Sequence, residues 1–166
     1  MKRFPKCLAP SAVLLAFACV PVAFAAPSCR PANGQFEAAL VPPGQGHCPP
    51  DPSAFCTAGR VWGGIQGNYQ FVMTGLTPSA AIGGVPTIVF FTGASDIALD
   101  GGAHVFGTDT GSLDLPPGQG GFASLITFSG GTEAMAGASG QIRLRGQFDP
   151  VAATTNGEYA GKICTP

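Results

Sequence analysis

From Phe55 onward, short runs of β-branched and aromatic residues alternate with Gly-, Pro- and Asn-containing turns. Their spacing of roughly ten residues is the signature of a β-sandwich or barrel. The runs are Cys56–Gly63, Gly67–Gly75, Thr87–Thr92, Ser95–Leu99, Ala103–Phe106 with a continuation to Leu115, Gly121–Phe128, Gln141–Phe148 and Gly157–Cys164, which predicts about eight strands. In Gln141-Ile142-Arg143-Leu144-Arg145, Ile142 and Leu144 share one face and the arginines the other. In Gly121–Phe128, residues Phe122, Ser124, Ile126 and Phe128 fall together. Thr87-Ile88-Val89-Phe90-Phe91 is apolar on both faces, as a central strand or a covered outer surface requires. Asp100-Gly101-Gly102, Pro116-Pro117-Gly118-Gln119-Gly120 and Thr155-Asn156-Gly157 read as turns. No helical period survives after residue 25.

Residues 26–54 have a different texture. Val41-Pro42-Pro43-Gly44-Gln45-Gly46 and Cys48-Pro49-Pro50 lack a strand pattern, so an irregular Pro/Gly-rich arm is expected, with one short pairing segment at Gln35–Leu40. The fold expectation is therefore all-β, with a β domain over 55–166.

Residues 1–25 combine the basic Lys2, Arg3 and Lys6 with an apolar stretch, Leu8–Phe24, and a small-x-small end at Ala23-Phe24-Ala25. This is the plan of a signal peptide cleaved before Ala26, predicting a periplasmic or secreted protein. Pro10 and Pro21 break the stretch, which is also short for a membrane span. Removing it takes three of the eight bases, leaving five against nine acids. A formal charge of −4 argues against nucleic acid and anionic membrane as main partners, because both need a basic face. Disorder is excluded by a mean hydropathy of +0.28.

Four cysteines follow the signal: Cys29, Cys48, Cys56 and Cys164. An even count in an exported chain implies two disulfides, with three connectivities open. None lies in C-x-x-C spacing and only His47 is near as a further ligand, so disulfides rather than a metal site are expected.

Ser129-Gly130-Gly131-Thr132, then Ala136-Gly137-Ala138-Ser139-Gly140, a strand ending at Gly146, Asp149, and Gly157-Glu158-Tyr159-Ala160-Gly161-Lys162-Ile163-Cys164 together resemble bacterial secreted members of the allene oxide cyclase/dirigent-like barrel superfamily. A weaker similarity reaches back to Gly67–Phe71 and Phe91–Ser95. The resemblance implies a small antiparallel barrel, trimeric as a homo-oligomer, with an apolar cavity. Glu133, Ala134 and Met135 stand where that pattern has Gly, a basic residue and an aromatic, and no catalytic role carries over. In a closed antiparallel barrel the first and last strands are neighbours. Reading Cys56 as the start of the first strand and Cys164 as the end of the last predicts a Cys56–Cys164 bridge and leaves Cys29 to Cys48.

Candidate chemistry is sparse. No G-x-S-x-G elbow occurs, the mature cysteines are committed, and His47 and His104 are the only imidazoles, so no catalytic residue, metal or cofactor is assigned. Asp96, Asp100, His104, Asp109 and Asp114 cluster in one segment; proton transfer and Ca2+ binding are open readings, but Asx turns at Asp100 and Asp109 and an exposed His104 account for them more simply. Trp62, Phe71, Phe90, His104, Phe122 and Phe128, with Tyr69 and Phe91, are the candidates for a cavity holding a small apolar molecule. An eight-stranded barrel sits at the size where side chains just fill the lumen or leave room for one small ligand. Three functions remain open: ligand binding, a non-catalytic structural or interaction module of the envelope, and an isomerase or cyclase.

Overall fold

The computed structural model describes residues 26–166, and the signal-peptide reading falls outside them. The described residues form eight strands: β1 (Ser28–Val41), β2 (Cys56–Gly63), β3 (Gly67–Pro78), β4 (Ile88–Leu99), β5 (His104–Asp114), β6 (Gly121–Gly131), β7 (Ser139–Asp149) and β8 (Thr154–Thr165). Each pairs antiparallel with its sequence neighbours, and β1 pairs with β8, closing a barrel in which no strand edge is left open. Two short 3-10 turns, Ser79–Ile82 and Glu133–Met135, decorate the loops. No helix among the described residues is long and apolar enough to cross a membrane.

Two expectations are corrected. Residues 42–54 are the expected irregular Pro/Gly-rich segment, but the part before them is not: Ser28–Val41 is the longest strand of the barrel, paired from Ser28↔Thr165 to Ala39↔Thr154 on one side and from Gly34↔Gly63 to Val41↔Cys56 on the other. Its sequence hid the strand because Pro31, Asn33 and Gly34 are poor strand formers. The inward set Ala32, Phe36 and Ala38 is nevertheless fully buried, and pairing on both sides overrides propensity. The runs Thr87–Thr92 and Ser95–Leu99 are one continuous strand, β4, running through Gly93 and Ala94. The eighth strand therefore comes from the N-terminal segment.

The disulfides are Cys29–Cys164 and Cys48–Cys56, not the predicted pairs. First and last strands are indeed neighbours, but the first strand is β1, whose Cys29 is the register partner of Cys164. Cys48 and Cys56 then staple the 42–55 loop onto the start of β2. Two disulfides mark a chain that folds in an oxidising environment.

Side chains alternate inward and outward with the strand period of two. At one end the lumen is solid: Ile97, Val105, Ile126, Ile142 and Ile163 are almost wholly buried, and Ile65, Ala103, Met135 and Ala138 from the loops plug it. The Tyr159 hydroxyl accepts from the Ile65 amide (2.8 Å) and lies 3.0 Å from the Ile65 carbonyl and 3.2 Å from that of Trp62, tying the plug to the wall. A barrel this narrow needs interior positions without a side chain. Gly146 and Gly157 are register partners, and a Cβ on either would strike the backbone of the strand opposite.

Candidate functional site: an aromatic cavity with a buried carboxyl

The other end of the barrel is not filled. Inward residues of all eight strands, with Phe55 of the 42–55 loop, line a cavity of about 60 Å³ that is open at its mouth, with room inside for about two waters. Its walls are phenylalanine rings in edge-to-face pairs: Phe36 against Phe122 at 5.8 Å and Phe71 against Phe91 at 5.7 Å between centroids. Phe55, at the foot of the disulfide-stapled loop, and Phe148, at the end of β7, meet at 6.1 Å over the opening. Gly93 and Gly111 make space for this layer, because a Cβ there would run into the rings of Phe71 and Phe91 respectively.

Asp109 lies at the middle of β5 and lines the cavity, 2% exposed. The Ser95 hydroxyl donates to its Oδ2 at 3.3 Å, and the Tyr69 hydroxyl lies 3.4 Å from Ser95 Oγ. With Ser95's proton committed to the carboxylate, Tyr69 is the donor to Ser95, and the hydroxyls form a chain ending on Asp109. Oδ1 is buried with no hydrogen-bond partner. Burial raises the Asp109 carboxyl above the ordinary carboxylate range, only partly opposed by the hydroxyls of Ser124, Ser95 and Tyr69 and the Thr110 amide. Burial also raises the Tyr69 phenol, and the charge of Asp109 pushes it further. Among the residues lining the cavity, these two are the ionisable ones. The site is thus a small apolar space lined by one carboxyl, one oxygen of which is buried without a hydrogen-bond partner.

The sequence-derived candidates divide. Phe71 and Phe122, with Tyr69 and Phe91, line the cavity. Phe128 is buried but belongs to the packed core. Trp62 and Phe90 point outward, 39% and 43% exposed. Trp62 instead donates its indole N–H to Gln35 on the outer wall. His104 is likewise on the outside, its Nδ1 2.8 Å from Asp96 Oδ1. The five-residue polar cluster does not converge: Asp100 pairs with Arg60 at 3.2 Å on the surface, and Asp114 accepts the Gln119 amide at 2.7 Å in the next turn. Those contacts leave Asp109 alone in the lumen, on a straight strand rather than in an Asx turn. No group of three or more His, Cys, Asp or Glu among the described residues is placed to hold a metal.

Sequence reasoning missed Phe36, Phe55, Ser95, Phe148 and the inward placement of Asp109. The signal for Asp109 was present: Val105, Gly107, Asp109, Gly111 and Leu113 are one alternate set of β5, and its ends are apolar.

Comparison with protein-family models returns no match, and comparison with curated proteins returns none. Among solved structures, the chain is similar to a pterocarpan synthase dirigent protein, at 10% identity over 87% of this chain and 88% of that one, with a TM-score of 0.34.

Proposed function

We propose that this protein is an exported binding barrel that holds one small, mostly apolar molecule in the Phe-lined cavity and its open mouth and reads a single polar group on it through Asp109. The observation that carries this reading is that Asp109, whose Oδ1 is buried and unpartnered, is the one carboxyl among the residues lining an unfilled apolar space. A buried polar atom without a partner costs about 1–3 kcal/mol. A purely structural barrel would be more stable with an apolar residue there, as its opposite end illustrates. A ligand hydroxyl bound to Oδ1 offsets that cost, and the surrounding rings supply apolar burial at roughly 25 cal/mol per Å².

The isomerase or cyclase reading is the weaker one. Proton relocation needs an acid and a base of different character in reach of the substrate. The cavity offers one carboxyl, and its second ionisable group, Tyr69, is made a poorer acid by burial and already gives its proton to Ser95.

The test compares p-cresol with toluene, which differ by one hydroxyl, in NMR titrations of the purified protein. Saturable p-cresol binding at least tenfold tighter than toluene, with the preference lost in Asp109→Leu, supports the reading. Absence of saturable binding of either probe, or a preference that survives in Asp109→Leu, overturns it.

A further inference from the structure

The two ends of the barrel differ on the outside as they do inside. At the closed end the loop residue Ile65 is buried, and the Asp100–Gly102 turn and the Thr132–Ala138 loop expose no large hydrophobic side chain, the nearest exposed ones being Trp62 and Phe106 on the strand walls. At the cavity end, Leu76, Ile82, Val85 and Val151 are 53%, 74%, 55% and 95% exposed. Leu76–Thr87, the end of β3 and the β3–β4 connection, runs twelve residues without a charge. Loops of soluble proteins are ordinarily polar at such exposure.

This apolar connection is built, not slack. The buried Ser79 hydroxyl donates to the Val85 carbonyl at 2.5 Å, the Gly84 amide to the Ser79 carbonyl at 2.9 Å, and the Ile88 amide to the Val85 carbonyl at 3.0 Å. Gly83 closes the 3-10 turn in the left-handed region at φ 78°. Ile82 and Val85 are thereby held out at the apex. In the closed strand order, the β3–β4 and β7–β8 connections lie across the opening from each other, so Val151 stands on the far side of the mouth.

The charges at this end fit one kind of surface. The connecting segments 42–55, 79–87, 115–120 and 150–153 contain no Lys or Arg. The nearby Asp51, Asp114 and Asp149 accept from backbone amides of their own turns, namely Ser53, Gln119, and Val151 with Ala152. A surface without cations has nothing to offer an anionic membrane. Separate protruding aliphatic points around an opening also do not make the contiguous patch of a protein interface. A fluid apolar medium beneath neutral headgroups accepts them. A groove beside the 42–55 loop, lined by Val72, Leu76 and Val89 together with Asp51, Ser53 and Thr74, shares Phe55, Met73 and Leu113 with the cavity wall.

We infer that the open end of the barrel docks on a zwitterionic lipid surface, inserting Ile82, Val85 and Val151. The docking step stands apart from the ligand reading and is tested without ligand. The experiment is co-sedimentation of the folded protein with phosphatidylcholine vesicles at low and high salt. Binding insensitive to salt is expected, weakened at least tenfold in the Ile82→Asp/Val85→Asp double variant. In a Trp62→Phe background, Ile82→Trp should show a blue-shifted emission on adding vesicles, quenched by bromine-bearing acyl chains. That second variant retains the apolar apex, so it reports insertion even where the double variant misfolds. Failure of the wild type to sediment, or an Ile82→Trp emission unmoved by vesicles, overturns the proposal. So does concentration-dependent self-association abolished by the double variant in the absence of vesicle binding, which would assign the rim to a protein partner.

Discussion

The Ser95 hydroxyl donates to Asp109 Oδ2 across 3.3 Å, joining the adjacent strands β4 and β5 inside the barrel, while the other oxygen of the same carboxyl has no partner. The functional reading follows from that asymmetry.

The asymmetry has a signature in stability against pH. Because the folded-state pKa of Asp109 is raised, the native protein binds this proton more tightly than the unfolded chain does. Its favourable contribution is present below the ordinary carboxylate range and is lost as pH rises through the raised value. Asp51 and Asp114, whose carboxyls are lowered by hydrogen bonds from Ser53 and from Gln119 with Thr87, slope the opposite way. A comparison with Asp109→Asn cancels their effect. The expected result is a variant equal to wild type in acid and more stable by ~1–3 kcal/mol at higher pH, read from denaturant melts across pH.

Enlarging a phenylalanine should have opposite consequences at two positions of one strand. Phe128 is embedded in the packed core, so Phe128→Trp should cost ~1–3 kcal/mol by overpacking. Phe122 borders the cavity, so Phe122→Trp should fold with little loss and occupy the space. Thermal melts paired with a p-cresol titration check both: binding is lost in Phe122→Trp at near-wild-type Tm.

The disulfides should contribute unequally. Cys29–Cys164 closes a separation of 135 residues and Cys48–Cys56 one of 8. In the chain-entropy account these amount to ~5 and ~2.5 kcal/mol. Paired Cys→Ala variants should separate accordingly in urea midpoints. Losing Cys48–Cys56 should also weaken p-cresol binding, because Phe55 at the opening sits on the stapled loop.

Much of the barrel was legible because β-branched runs and Gly turns mark strands β2 to β8 locally. β1 was not, since Pro31 and Gly34 suppress its local signal and only pairing with β2 and β8 makes it a strand. The misassigned cystines follow from that one omission. At the site, Phe71, Tyr69, Phe91 and Phe122 were read correctly as aromatics on strands. Phe90 and Trp62 were not, because a run apolar on both faces gives no phase: Phe90 and Phe91 are adjacent, and only the register Gly93↔Asp109 fixes which one enters the lumen. Asp109 was read as a turn residue beside Gly111, whereas that glycine is a mid-strand position accommodating the Phe91 ring.

The most direct test of the ligand-reading carboxyl is a 13C NMR titration of the Asp109 side chain, alone and saturated with p-cresol. The account predicts a free-protein midpoint above the ordinary carboxylate range, moving downward when the phenol hydroxyl donates to Oδ1 and stabilises the charged form. A midpoint within the ordinary range, or one that p-cresol leaves unmoved, would contradict it.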